Sequence, residues 1–304
     1  MSISKYIKII GRGKEGARPL SREDAADLFG QVLDGSVTDL EVGGFCLAMR
    51  IKGETPEEMA GFLDATHQRL QHFPANSQPN EPIVVLPTYN GARKLPVLTP
   101  LLALLLAQRG VAVLVHGTAT ESSRVFTSEV LLALNIPAQT AIKPIAAGEV
   151  VFAPTELLLP ALKRLLDVRR AVGLRNPAHS LVKIMNPCQG KALVISSYTH
   201  PEYAVAMGQT FELIKANAVL LRGTEGEVVA DPRRLPQMEA FIGGIRQPAQ
   251  PAQTGTLGAL PDLPKSTDAA CTAAYIRAVL AGEQPVPTPI ALQVEYILQV
   301  ASKL

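Results

Sequence analysis

Apolar positions in the first seventy residues recur at helical spacing. Ala25, Leu28, Phe29, Val32 and Leu33 form one stripe, and Ser21 with Asp24 ahead of it resembles a capping box with Asp in place of Glu. Gly35 closes that helix. Thr38 with Glu41 opens a second, carrying Leu40, Gly44, Leu47, Ala48 and Ile51, and Gly53 ends it. Thr55-Pro56-Glu57-Glu58 opens a third, with an N-cap, a proline at the first helical position and acid in the first turn. Before all of these, Ile3, Ile7 and Ile10 share one face of a short helix that carries Lys5 and Lys8 elsewhere. Together they predict a small helical bundle.

The period changes after a Pro/Asn-rich stretch at 73–82, the best candidate boundary. Short β-branched runs at 83–86, 111–115, 150–152, 193–196 and 219–221 predict strands. Helical patterns at 97–108, 128–134, 155–172 and 202–214 separate most of them. Strands alternating with helices imply a mostly parallel sheet covered on both faces. The expected fold is therefore α/β: a small N-terminal helical bundle domain (residues 1–75) and a larger α/β domain (82–304). Residues 244–267 read as one long Pro/Gly-rich loop, followed by helices at 268–280 and 289–303.

Composition narrows the class. The chain has 304 residues, of which 47% are hydrophobic and 18% charged, so it can bury a core and is not a disordered polymer. Three scattered cysteines without a CxxC predict reduced thiols, with neither a disulfide framework nor a zinc site. Residues 95–115, the most apolar run, are interrupted by Pro96, Pro100, Gln108, Arg109 and Gly110. They fall short of the roughly 20 clean apolar residues a membrane span needs. No signal-peptide pattern opens the sequence, so a cytoplasmic location without membrane partners is expected.

Formal net charge is only +2, which excludes a polycation. The charge is unevenly placed, however. Residues 1–22 hold six basic residues (Lys5, Lys8, Arg12, Lys14, Arg18 and Arg22) against Glu15, a local +5. The remaining 282 residues hold 23 basic and 26 acidic ones, a net −3. This segment is either an ordinary solvated face or a phosphate-contacting arm. Gly11–Gly16 matches GxGxxG, but no strand precedes it, so the dinucleotide fingerprint is not met.

Further candidates follow the expected strands. Tyr89, Arg93 and Lys94 lie just past the first, where open α/β sheets hold ligands. The tyrosine is a candidate for stacking a base and the cations for phosphate. His116, Gly117 and Thr118 end the second strand; a lone histidine there is more often structural than catalytic. A third basic cluster comprises Arg169, Arg170, Arg175 and Lys183, with His179 among them. Arg169 and Arg170 also suit a helix C-terminus. No spacing of His, Cys, Asp or Glu suggests a metal site.

These residues accumulate into a resemblance that covers nearly the whole chain. LSREDAADLFGQVLDGSVTDLEVGGFCLAMRIKGETPEEMAGFLDA resembles the helical domain of the anthranilate phosphoribosyltransferase family, within glycosyltransferase family 3. FAPTELLLPALKRLLDVRRAVGLR is similar to that family's stretch around its aromatic-acid site, with Arg169 at the expected arginine. The resemblance implies that residues 155–183 pack with the helical domain. It also marks Thr99, His116, Gly117, Thr118, Ser122 and Arg169 as ancestral ligand-site positions.

The catalytic motifs depart from that family. Its glycine-rich diphosphate loop GTGGD reads LPTYNGARKLPVLT here, its KHGN reads Val115–Thr118, and its magnesium-binding acidic pair is replaced by Val228 and Val229. Transfer chemistry needs diphosphate cradled by loop N–H groups and neutralised by metal. No residue is therefore assigned a catalytic role, and no cofactor is expected.

The departures themselves resemble a narrower group, the YbiB-type relatives: Gly11–Lys14, Tyr89–Lys94, Arg175-Asn176, His200–Tyr203 and Gly223–Val228 carry that likeness. It implies a homodimer, joined through the helical domain, that binds nucleic acid without sequence preference. DNA is the expected partner, with RNA an alternative. Lys5, Lys8, Arg12, Lys14, Arg18, Arg93 and Lys94 would hold phosphates, with Arg169, Arg170, Arg175 and Lys183 behind them. Two other readings stay open. One is a phosphoribosyltransferase with an altered site using magnesium, Glu225 and Glu227; the other is a non-catalytic scaffold for a phosphorylated metabolite.

Overall fold

The computed structural model describes residues 2–75, 81–256 and 260–304, apart from the side chain of Lys14. Residues 76–80, inside the expected boundary at 73–82, lie outside the described residues. Five helices come first: α1 (Ser4–Ile10), α2 (Gly13–Gly16), α3 (Arg22–Leu33), α4 (Asp39–Lys52) and α5 (Pro56–His67). Their starts follow the sequence. Ser21 accepts from the Asp24 N–H, while Thr38/Glu41 and Thr55/Glu58 form reciprocal capping boxes.

Glu58 goes beyond capping. It is fully buried and accepts from the Leu20 N–H and the Lys52 ammonium as well as from Thr55, tying three segments to one carboxylate. Arg22 binds Asp64 through two N–H groups, joining α3 to α5.

On α4 most of the expected apolar stripe faces outward. Leu40, Leu47 and Ile51 are exposed, Leu40 at 86%, while Ala48 of that stripe is buried and Phe45, Cys46 and Met49 make up the rest of the buried face. Phe45 packs edge-on against Phe29 and Phe62 in the bundle centre, which the wide aromatic side chains fill in preference to the leucines.

The α/β part runs β1 (Ile83–Thr88), α6 (Thr99–Gln108), β2 (Val113–Gly117), α7 (Thr127–Ala133), β3 (Val150–Pro154), α8 (Thr155–Leu158), α9 (Pro160–Val172), α10 (Ala178–Leu181), β4 (Ala192–Tyr198), α11 (Pro201–Leu213) and β5 (Ala218–Arg222). It continues with a 3-10 turn (Thr224–Gly226), β6 (Met238–Ile242), β7 (Ile245–Arg246), α12 (Ala269–Leu280) and α13 (Thr288–Ala301). The sheet order is β3-β2-β1-β4-β5-β6-β7, parallel through β5 and antiparallel thereafter.

Both sheet faces are buried, which explains the continuous apolar strand runs. Ile83, Val85, Leu114, Val194 and Leu220 share a core with the helical bundle and α9–α11. Val84, Leu86, Val113, Ile195 and Val219 face the opposite core, with α6, α12 and α13. The helical bundle thus packs on the same core as residues 155–185.

Two expectations change. The helix expected over 155–172 is broken at Leu159, which takes φ −161° and ψ 97°. The ring of Pro160 drives the preceding residue out of the helical region, so a new helix starts there. The loop expected at 244–267 begins as an edge strand, since Ile245–Arg246 pairs with β6 and Gln250 bridges Met238.

Candidate functional site

The ends of β1, β2 and β5 meet at one edge of the sheet. The end of β1 and the segment after it, residues 88–95, lie against the turn after β5, and two carboxylates join them. Glu227, 1% exposed, accepts at Oε1 from the Asn90 and Gly91 N–H groups, both at 2.8 Å. Its Oε2 accepts from the Thr88 hydroxyl and, at 3.3 Å, from the Thr99 hydroxyl. Glu225 accepts from the N–H groups of Arg93 at 2.7 Å, Lys94 at 2.7 Å and Leu95 at 3.2 Å. Five N–H groups of one loop therefore converge on two side-chain anions. Such concavities of backbone N–H groups bind anions generally, and ionised acceptors strengthen the bonds.

The close fit explains the glycines. Gly91 has φ +65° and Gly226 has φ +88°, both left-handed. A Cβ on Gly226 would lie 1.7 Å from Asn90 Nδ2, and one on Gly223 would lie 1.6 Å from the Glu227 carbonyl oxygen. Glu225 itself adopts φ 52°, a costly conformation for a residue with a side chain. The carboxylate's three bonds hold it there.

Of the six positions that the resemblance marked, Thr99, His116 and Gly117 are buried. Thr99 is buried on Glu227. His116 is buried; its Nδ1 faces the Tyr89 hydroxyl at 2.9 Å, its Nε2 has no partner among the described residues, and burial lowers its pKa to about 3. A Cβ on Gly117 would meet the Thr88 carbonyl oxygen at 1.9 Å. Thr118 is half-buried and Ser122 exposed. Val228 and Val229 are buried in the core, and the Val228 carbonyl accepts from Gln293.

Magnesium does not fit this donor set. The positions that would coordinate it carry alkyl groups, and the nearby carboxylates Glu225 and Glu227 are engaged by the loop. Among the described residues, no group of three or more His, Cys, Asp or Glu stands together as a metal site.

Tyr89 departs from expectation. It is 4% exposed, its hydroxyl bonds His116 and Thr155, and its ring sits edge-on to His116. Its face is not open to a base. The proximity of His116 and Thr155, contributed by β2 and α8, was invisible in the local sequence.

The cations divide into two sets. Arg93 and Lys94 are exposed, as is Arg222 at the end of β5. Lys8, Arg12 and Arg18 lie on the N-terminal segment, with Arg12 and Arg18 bonding local carbonyls. Lys5 is exposed, with its ammonium 4.4 Å from the Tyr6 ring centre and 3.9 Å from Asp27. The Lys14 side chain lies outside the described residues. This segment is not a loose arm, because Ile3 and Ile10 are buried and α1 and α2 pack on α4. Among the described residues no hydrogen bond or ion pair joins it to residues 87–94.

The second set, Arg170 apart, lies inward. Arg169 pairs with Glu121 at 3.1 Å, and Glu121 also meets Arg124 at 3.6 Å. Arg170 is exposed and pairs with Asp167 at 3.3 Å. Arg175 is partly buried with no hydrogen bond or ion pair among the described residues. Burial lowers its pKa first, with the charges of Arg169, Arg124 and Arg50 contributing. Lys183 donates to the Gly226 carbonyl at 3.3 Å, and burial lowers its pKa to about 8. Arg50 and Arg124 were missed in the sequence. One lies on a helix with an ordinary solvated charge pattern and the other follows two serines, so neither carries a local signal.

Comparison with known proteins agrees with this architecture. Residues 4–69 match the family described as "Glycosyl transferase family, helical bundle domain". The chain is 39% identical over 300 residues to the "Uncharacterized protein YbiB" of Escherichia coli (strain K12), covering 96% of this chain and 92% of that one. It is 28% identical over 277 residues to an anthranilate phosphoribosyltransferase of Salinispora arenicola (strain CNS-205), covering 87% and 76%. In structure it is similar to the anthranilate phosphoribosyltransferase of Thermus thermophilus, with a TM-score of 0.74 at 22% identity over 98% of this chain and 89% of that one. The Saccharomyces cerevisiae enzyme in complex with PRPP and Mg gives 0.70 at 12% identity over 99% and 88%. The bundle, the mostly parallel sheet and the extent of these matches lead to one assignment: the chain belongs to the YbiB group of relatives of anthranilate phosphoribosyltransferase, with the glycosyl transferase family's helical bundle domain at its N-terminus.

Proposed function

We propose that this protein binds nucleic acid, DNA in the first instance, through its phosphates and without sequence preference, and does not transfer phosphoribosyl groups. The carrying observation is the pair of carboxylates on the loop. Glu225 and Glu227 occupy the N–H groups of residues 90, 91 and 93–95 that an incoming diphosphate would need. Valines stand where the family's metal-binding acids would. What remains for an external phosphate is side-chain charge at the surface: Arg93, Lys94 and Arg222, with Lys5, Lys8, Arg12, Arg18 and Arg170 elsewhere. Such cations position a phosphate backbone and carry no base information.

The protein acts as a homodimer in this reading. The exposed stripe of Leu40, Leu47 and Ile51 on α4 supports joining through the helical domain, since an apolar row at helical spacing gains by being covered. Light scattering on the wild type and on a Leu40→Lys, Leu47→Lys variant tests it.

Anisotropy titrations of labelled single- and double-stranded DNA across a salt series test the binding. Affinity is expected to fall linearly on a log–log plot. Arg93→Ala with Lys94→Ala is expected to reduce the slope for duplex by about 2, one unit for each phosphate no longer neutralised. Absent binding at low salt, or salt-independent binding, refutes the proposal. The fold likeness to anthranilate phosphoribosyltransferases keeps one rival in play. Turnover of phosphoribosyl diphosphate with anthranilate and magnesium above background would favour it.

A further inference from the structure

Aromatic side chains are almost all inside this protein. The chain has eight phenylalanines, six tyrosines and no tryptophan. Every phenylalanine is buried, and Tyr203, at 40% exposure, is the one exposed tyrosine. A single apolar group at the surface is ordinary. This one has a partner and a charged setting.

The partner is His200, the N-cap residue of α11, with φ −120° and ψ 141°; Pro201 starts the helix. The Tyr203 N–H donates to the His200 carbonyl at 3.0 Å. That turn brings the two side chains together, with ring centres 6.2 Å apart and planes tilted by 50°. His200 is exposed as well. Among the described residues neither the Tyr203 hydroxyl nor the His200 ring has a hydrogen bond or an ion pair.

Cations stand at the same end of the sheet. Tyr198, at the end of β4, is the register partner of Arg222 at the end of β5. Beside them Ser197 Oγ donates to the Gly226 carbonyl at 2.7 Å, and a Cβ on Gly226 would lie 3.0 Å from Thr199 Cγ2. Glu225, one residue earlier, holds the N–H groups of Arg93 and Lys94. The turn that carries His200 and Tyr203 is therefore joined through residues 225–226 to the loop whose two long cations face water. Glu202, between the two aromatic residues in sequence, is also exposed. Its carboxylate repels a phosphate and not an uncharged base. The charges thus sort the two parts of a nucleotide, phosphate toward the cations and base toward the rings.

We infer that His200 and Tyr203 form a stacking platform for an unpaired base of a nucleic-acid strand whose phosphates lie on Arg222, Arg93 and Lys94. The inference deepens the proposed nucleic-acid binding and rests on it. A duplex keeps its base faces inside its own stack, so the platform serves single strands. Stacking needs only the π-face that every base has, and DNA and RNA both offer it.

Tyr203→Ala, Tyr203→Phe and Tyr203→Trp variants of the full chain test it. The probes are oligothymidylate, oligouridylate, a DNA duplex and an abasic oligonucleotide of the same length. Circular dichroism reports that each variant is folded. Tyr203→Ala is expected to weaken single-strand binding at least about fivefold, the worth of one stacked base. Its salt slope and duplex affinity are expected to stay at wild-type values, because no phosphate contact is lost. Tyr203→Phe keeps the ring and is expected to keep the affinity. Tyr203→Trp supplies the only tryptophan of the chain, and its fluorescence is expected to be quenched by the single strands but not by the duplex or the abasic strand. Three results overturn the inference and leave the nucleic-acid reading standing: Tyr203→Ala with undiminished single-strand affinity, Tyr203→Ala with equal losses for single strand and duplex, or a tryptophan that bound single strand does not quench. Wild-type protein that binds no probe at low salt overturns both. Dependence on Tyr203 with oligothymidylate, oligouridylate or both supports the site and identifies the strand it takes.

Discussion

Removing the Glu227 carboxylate should expose how strongly the loop depends on it. In Glu227→Ala the Asn90 and Gly91 N–H groups and the Thr88 and Thr99 hydroxyls all lose an acceptor in a site with 1% exposure. The hydroxyls can turn elsewhere: Thr88 Oγ1 already lies 2.6 Å from Thr127 Oγ1. The backbone donors cannot. Each buried N–H left without a partner costs about 1–3 kcal/mol, so the variant should lose about 3–5 kcal/mol.

Glu227→Gln keeps the shape and one acceptor oxygen for both N–H groups. Its new amide donor can face Thr88, whose hydroxyl then donates to Thr127. The expected loss is about 1–2 kcal/mol. Urea denaturation followed by far-ultraviolet circular dichroism measures both. Added phosphate or acetate should raise the midpoint of the alanine variant more than that of the wild type, because only the variant has an open anion cradle. An alanine variant within about 1 kcal/mol of wild type, or alanine and glutamine variants that behave alike, would refute the role assigned to the carboxylate.

Two further outcomes follow from the same geometry. Glu225→Ala should cost less than Glu227→Ala, about 1–2 kcal/mol, because the Arg93 and Lys94 backbone lies at the surface where water replaces the lost acceptor; Glu225→Gly, which also relieves the φ of 52°, should recover part of that in the same urea assay. Acid sensitivity should come from buried histidines. Burial lowers the pKa of His116 to about 3, and of His67 and His179 to about 4. Each is neutral in the fold and protonated when unfolded below about pH 6.5, so its contribution is whole above that value and falls as pH drops toward the folded pKa. The slope approaches about 1.4 kcal/mol per pH unit for each, and thermal melts from about pH 7 to about pH 5 should show it, less steeply in His116→Gln. A melting temperature flat across that range contradicts the assignment.

Much of the fold was legible because the elements carry local signals. Ser21, Thr38 and Thr55 marked helix starts, and the five parallel strands announced themselves as apolar runs because both sheet faces are covered. What escaped notice had non-local causes. The outward turn of Leu40, Leu47 and Ile51 depends on Phe45 filling the bundle centre against Phe29 and Phe62. The edge strand at 245–246 is too short and polar to show a period. For the site, the sequence singled out Tyr89, Arg93 and Lys94 past the first strand as candidates. It could not reveal that Glu225 and Glu227 reach back across more than a hundred residues to fill the loop. Nor could it separate Arg93 and Lys94, which face water, from Arg175 and Lys183, which are partly buried.

The two carboxylates also determine what the outer surface can do. A loop that cradles a diphosphate turns its N–H groups toward the ligand and needs small side chains to let it approach. Here the N–H groups of Arg93, Lys94 and Leu95 point at Glu225, and the long side chains of Arg93 and Lys94 are left exposed. Binding an internal anion therefore converts an inward-facing cradle into an outward-facing pair of cations. A small diphosphate needs the concave form, with donors on several sides and a metal to neutralise it. A polymer of phosphates needs only a convex row of cations, each meeting one phosphate in passing. The same five N–H groups cannot hold Glu225 and Glu227 and cradle a diphosphate at once, so the two carboxylates close the first arrangement.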